Sequence, residues 1–119
     1  MLYVDGFVAV VPKKNLAAYT RMARQASKLW REHGALEYHE CVGDDLNNKF
    51  CLTFPNGIKS KPGETIVFAY IVYKSRAHRD RVNAKVMKDP RLAAMMKDAA
   101  MPFDCKRMSY GGFAIKVAA

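Results

Sequence analysis

A chain of 119 residues is long enough for one domain around one core, and folding at this size removes roughly two-thirds of the unfolded surface from water. Hydrophobic residues make up 50% and charged residues 26%, a balance that excludes a disordered segment and a fibrous repeat. The formal charge of +9 would attract nucleic acid, an acidic ligand or a membrane surface through long-range electrostatics without choosing among them.

Tyr3 to Val11 is rich in β-branched and aromatic residues, and Pro12 closes it because proline cannot donate to a sheet ladder; this predicts strand one. Asn15 is a suitable N-cap, and Tyr19, Met22, Ala23, Ala26, Trp30 and His33 then recur at three- and four-residue steps until Gly34 ends the pattern. Helix one therefore spans about Leu16 to His33, with Arg21, Arg24, Lys28 and Arg31 on its other face. Ala35 to Val42 reads as strand two, and Gly43-Asp44-Asp45 opens a long connection to Glu64. Phe50, Leu52 and Phe54 alternate within that connection, which predicts a flap or short extra strand turned by Pro55-Asn56-Gly57.

Thr65 to Tyr73, apolar at nearly every position, reads as strand three covered on both faces. Ser75 can cap a second helix with Val82 and Val86 facing inward, interrupted at Asp89-Pro90 because helical geometry is disfavoured before proline. Pro90 then starts a further helix with Leu92, Met95, Met96 and Ala99 on its apolar face. Lys106 to Val117 is the last strand, with Gly111-Gly112 marking a bulge or a close backbone approach. The order is β-α-β-β-α-β, an α+β domain over residues 1–119 with no internal repeat.

The longest apolar runs, Phe7 to Val11 and Ile66 to Tyr73, are too short to cross a bilayer as a helix. The first residues lack the basic start and apolar run of a secretory signal, and three cysteines without a Cys-x-x-Cys pair fit reduced thiols. A cytoplasmic location is expected.

The run Met101-Pro102-Phe103-Asp104-Cys105-Lys106-Arg107-Met108-Ser109-Tyr110-Gly111-Gly112-Phe113 resembles the YbaA-like family of uncharacterised bacterial proteins. So do Tyr3-Val4-Asp5-Gly6-Phe7, His33-Gly34-Ala35, Glu40-Cys41-Val42-Gly43-Asp44-Asp45, Glu64-Thr65-Ile66-Val67-Phe68 and Lys85-Val86-Met87-Lys88-Asp89-Pro90, which together cover nearly the whole chain. Cys105 departs from the glycine more common at that place, and Lys74 from a proline. The resemblance implies a ferredoxin-like subunit with an antiparallel sheet that pairs with a second copy into a dimeric α+β barrel. It implies no reaction, since its superfamily includes cofactor-free monooxygenases, haem-degrading enzymes and stress-response proteins.

Asp104, Lys106 and Arg107 cluster before the last strand, where opposite charges can orient a polar ligand at the barrel mouth or form a structural ion pair. Tyr110, on that strand, can donate its hydroxyl to a ligand while its ring packs. Asp104, Arg107 and Tyr110 are thus the ligand-binding candidates. Asp5 stands in an apolar strand and is the candidate general base: pointing inward it must be paired or have its pKa raised, and near a strand end it can instead meet a surface Lys or Arg. These four residues are expected to approach one cavity, with strands one and four brought near each other only through strand three.

Glu37, His39 and Cys41 share a strand face, but side chains about 7 Å apart along a strand do not converge on one ion, so no metal is expected. His78 is expected to be exposed beside Arg76 and Arg79, Cys51 and Cys105 to be buried or half-buried, and Cys41, like Glu37 and His39, to be solvated or at an interface. No cofactor motif is present, and no nucleic-acid module accompanies the basic residues Arg21, Arg24, Lys28 and Arg31 of helix one or Arg81, Lys85 and Lys88 of helix two. The reading that results is a homodimer that binds a small organic molecule between sheet and helices, with cofactor-independent catalysis open. The alternative is a non-catalytic protein whose basic helices bind an acidic partner.

Overall fold

The computed structural model describes residues 1–97 and 101–119. Its elements run β1 (Tyr3–Pro12), α1 (Leu16–Glu32), β2 (Glu37–Val42), α2 (Phe54–Ile58), β3 (Glu64–Tyr73), α3 (Arg76–Lys88), α4 (Pro90–Lys97) and β4 (Ser109–Ala114), with 3₁₀ turns at Lys13–Asn15 and Cys105–Arg107. The strands form one antiparallel sheet of order β2-β3-β1-β4. Each strand–helix–strand unit skips one place, so β3 fills the gap of the first unit and β1 that of the second. β4 therefore pairs directly with β1, Asp5 opposite Gly112 and Phe7 opposite Tyr110, and strands one and four do not communicate through strand three.

Paired residues point to the same side, which sorts the sheet into two faces. Tyr3, Asp5, Phe7, Ala9 and Val11 share one face with Val67, Ala69, Ile71 and Tyr73 of β3 and Tyr38, Glu40 and Val42 of β2. Helices cover this side: Tyr19 and Ala23 of α1 cluster with Val11 and Val67, while Val82 and Val86 of α3 cluster with Ile71 and Tyr73. Val82 and Val86 are fully buried and each stabilises the fold by about 1.5–3 kcal/mol.

The opposite, open face carries Val4, Val8 and Val10, Ile66, Phe68, Tyr70 and Val72, Glu37, His39 and Cys41, and Phe113. Leu46 and Phe54 line a shallow pocket there with Ile66 and Phe68, and Leu52, Phe54 and Ile58 line another with Val8, so the connection after β2 lies over that end. It leaves Phe68 44% and Phe113 61% exposed.

Two caps follow the sequence closely. Ser75 Oγ accepts from the His78 N–H at 3.1 Å, and Gly34 leaves α1 at φ 118°, a left-handed conformation that favours glycine. A side chain at Gly34 would also crowd the His78 ring of α3 at 3.3 Å while only touching Val82. Gly111 and Gly112 keep regular pairing without a bulge; Gly112 is the close approach, because the Tyr3 ring occupies the space a Cβ would need.

Other expectations are corrected. Asn15 does not cap α1 with its side chain, which instead donates from Nδ2 to the Pro102 carbonyl at 3.1 Å. The segment expected as a flap strand forms α2, capped by Thr53, whose Oγ1 accepts from the Asn56 N–H; Phe50 stays 94% exposed. The last strand is shorter than expected because Asp104 caps a 3₁₀ turn through Cys105–Arg107 before Ser109. Leu29 of α1 is buried toward α4, where it lines a groove with Ala94 and Met95. Cys51 and Cys105 are exposed rather than buried or half-buried, while Cys41 is exposed as expected. Ala99 lies outside the described residues.

Candidate functional site

Two polar clusters stand on the helix-covered face. The first centres on Asp5, which is only 1% exposed. Arg79 enters from α3 and donates from Nη1 to Asp5 Oδ1 at 2.7 Å and to the Tyr110 hydroxyl at 3.0 Å, while its Nε bonds Asp80 at 2.8 Å. Its guanidinium also lies 5.1 Å from the centre of the Tyr3 ring, in cation–π range. Beside it, Asn83 Oδ1 accepts from Trp30 Nε1 at 3.0 Å and from the Tyr73 hydroxyl at 3.3 Å, which ties α1, α3 and β3 together.

Burial raises the Asp5 pKa above the ordinary carboxylate value, and the Arg79 charge with hydrogen bonds from Tyr110, Arg79 and Asn83 opposes this without overcoming it. Asp5 thus points inward and is both paired and shifted. Burial works against the Arg79 charge, but hydrogen bonding to Asp80 and attraction from Asp5 outweigh it and raise the Arg79 pKa. Tyr110 is also shifted upward, by burial first and by the Asp5 charge second.

The second cluster belongs to a chamber of about 170 Å³ between the sheet and α1. Phe7, Met22, Ala26, Trp30, Ala69, Ile71, Phe103 and Met108 make its apolar walls, and Tyr19, Tyr38 and Glu40 its polar rim. Tyr19 donates to Glu40 Oε1 at 2.7 Å and Tyr38 to Oε2 at 2.8 Å. Burial raises the pKa of both tyrosines, and the Glu40 charge raises it further, so both remain protonated donors. An outer groove of about 310 Å³ shares Tyr19, Ala23, Tyr38 and Glu40 with the chamber and adds Arg24 and Ser27. Phe7 connects the two clusters: it lines the chamber and stacks on Tyr110 at 4.8 Å.

Of the residues singled out in the sequence, Asp5 and Tyr110 meet, whereas Asp104 and Arg107 lie elsewhere. Arg107 clasps Glu64 through Nη1 at 2.6 Å and Nη2 at 2.9 Å and reaches the Lys59 carbonyl. Glu64 lies seven residues along β3 from Ile71, the partner of Asp5, or about 24 Å by strand rise. Asp104 caps its own turn by accepting from the Lys106 N–H at 3.0 Å. Glu37, His39 and Cys41 occupy the open face, with the His39 ring 4.9 Å from Tyr70. His78 is half-buried rather than exposed, and its Nδ1 accepts from the Lys74 N–H.

Arg79, Tyr19, Tyr38 and Glu40 did not stand out in the sequence. Tyr38 and Glu40 alternate with Glu37, His39 and Cys41, and that alternation could have placed them on the other face of β2. Nothing local could have linked Arg79 to a carboxylate 74 residues earlier.

Hydrogen bonding from Arg107 is the main cause that holds the Glu64 pKa down, from an ordinary 4.5 to about 2. A depressed carboxyl stabilises the fold fully above its unfolded pKa and loses that contribution as pH falls toward its folded pKa. Chemical denaturation between pH 5 and pH 2 should therefore show a flatter acid loss in Glu64→Gln than in the parent. Identical slopes would mean that the pair is not formed in solution.

Comparison with known proteins agrees with this architecture. Residues 2–105 match the family model described as a protein of unknown function, DUF1428. The chain is 43% identical over 113 residues to the uncharacterized protein YbaA of Escherichia coli strain K12 and to that of Shigella flexneri, covering 95% of both chains in each case. Among solved structures it is similar to Rv0793 from Mycobacterium tuberculosis, with a TM-score of 0.60, 12% identity and coverage of 100% and 99% of the two chains. A dimeric ferredoxin-like protein from an uncultured marine organism gives 0.58 at 11% identity over the whole of both chains. A mutant of SnoaB, a cofactor-independent oxygenase from Streptomyces nogalater, gives 0.53 at 12% identity over 98% and 95%. At these identities the structures speak for a ferredoxin-like α+β fold of this chain, while the family match and the E. coli relative span most or nearly all of the sequence: the chain belongs to the DUF1428 family.

Proposed function

We propose that the protein binds a small organic molecule in the chamber between the sheet and α1, and that it works as a homodimer joined through the open face of the sheet. The observation that carries the first part is an apolar chamber with one carboxylate, Glu40, set at its rim between two tyrosine hydroxyls. Apolar walls with a few convergent polar groups are the usual build of a ligand site. Support for the second part comes from the exposed aromatics Phe68 and Phe113 and from the dimeric ferredoxin-like protein of similar fold. In this reading Glu40 faces the ligand, while Asp5, Arg79 and Tyr110 hold α3 on the sheet beside the chamber. Asp104 and Arg107 brace the far end. Cofactor-independent chemistry at Glu40 is the finer form of the proposal.

A thermal-shift series with one- and two-ring aromatic compounds at low and high salt tests the chamber. Ligand at a hundred times its Kd should stabilise the fold by about 2.7 kcal/mol. The shift should be insensitive to salt, since apolar burial is not screened. Ala26→Leu, which fills the chamber from α1, should abolish it. The competing reading rests on Arg21, Arg24, Lys28, Arg31, Arg81, Lys85 and Lys88, all exposed. It wins if only polyanions raise the melting temperature and do so only at low salt.

A further inference from the structure

We infer that the chamber's ligand is an uncharged aromatic ring bearing a hydroxyl, and that this hydroxyl donates to the Glu40 carboxylate. The inference rests on the chamber being the binding site proposed above. A carboxylate only accepts hydrogen bonds, so whatever sits against it must bring a donor. Among the described residues, Tyr19 takes Oε1 and Tyr38 takes Oε2, which leaves each oxygen a lone pair for one more donor. Two phenol hydroxyls of the chain already make this contact, and the ligand's hydroxyl would be the third.

The rest of the lining narrows the ligand. Phe7, Met22 and Ile71 offer no polar atom, and the Trp30 N–H is committed to Asn83. An acid would meet Glu40 as a like charge. A cation would approach against the field of a chain with formal charge +9 and would lose its hydration beside apolar walls. A neutral hydroxyl avoids both penalties. The volume of about 170 Å³ suits a single ring, since an apolar cavity of about 150 Å³ in another protein takes up benzene.

Trp30 is the only tryptophan and lines the chamber, so its fluorescence reports occupancy. Titration at neutral pH with 4-methylphenol, toluene and 4-methylbenzoate should show the phenol binding about tenfold more tightly than toluene, as expected for a hydrogen bond to a charged acceptor. The benzoate should not bind. Glu40→Gln should narrow the phenol-to-toluene ratio to about two- or threefold. Equal affinities for phenol and toluene in the parent chain would overturn the hydroxyl assignment while leaving the chamber as a ring-binding site. Failure of all three compounds would remove the chamber reading itself.

A second measurement needs no variant. The chamber should take 4-nitrophenol in its uncharged form, so adding protein should reduce the yellow absorbance of the ionised phenol. An increase in that absorbance would mean an anion site and would overturn the proposal.

Discussion

Replacing Asp5 by alanine should lower the stability of the fold by up to about 3–5 kcal/mol, because it removes the buried counter-charge of the largely buried Arg79 guanidinium and leaves it only the exposed Asp80. The loss arises less from the attraction removed than from the desolvation that no longer has a partner. Asp5→Asn should cost less, since an amide oxygen can still accept from Arg79 Nη1. Asp5→Leu combined with Arg79→Met should cost less than the sum of the two single changes, for the pair then disappears together. Urea unfolding followed by Trp30 fluorescence and far-ultraviolet circular dichroism measures each term. Single variants within about 0.5 kcal/mol of the parent would mean that the pair behaves as a solvated surface contact.

For the proposed dimer, Phe68→Lys should give a monomer at concentrations where the parent is expected to scatter light as twice 13.4 kDa. Phe68 lies on the central strand β3 and is 44% exposed within one subunit, so a lysine there costs the isolated fold little. In a two-fold interface the same patch faces itself, and the substitution introduces two charges into one apolar contact. Circular dichroism of the variant should match the parent. A parent chain that remains a monomer throughout a dilution series would show that the connection over Ile66 suffices to cover the sheet.

How much of this was legible depends on the range over which each feature is decided. Ser75 as a cap, Pro90 as the start of α4 and Gly34 as the end of α1 are each fixed by one residue's backbone chemistry, and the structure places all three accordingly. Asn15 had the right chemistry for a cap, yet its amide is drawn to the Pro102 carbonyl 87 residues away, which a local rule cannot weigh. Phe50, Leu52 and Phe54 alternate as a strand would, but Thr53 and Pro55 start a helical turn in their midst, and here capping prevailed over a short period-two pattern.

For the candidate site the division is sharper. The sequence by itself determined that Asp5 sits in an apolar strand and must find a partner if it points inward, because an unpaired buried charge is too costly to persist. Alternation with Glu37, His39 and Cys41 also carries the information that Tyr38 and Glu40 share the other face, although neither stands out from it. Only the tertiary structure decided that the partner is Arg79, that Arg107 clasps Glu64 at the other end of the sheet, and that Glu40 closes an apolar chamber. The physical reason is that side-chain periodicity is set by neighbouring peptide units. Which charges meet depends instead on the sheet order and on how α1 and α3 pack across it, and both arise from contacts between residues far apart in the chain.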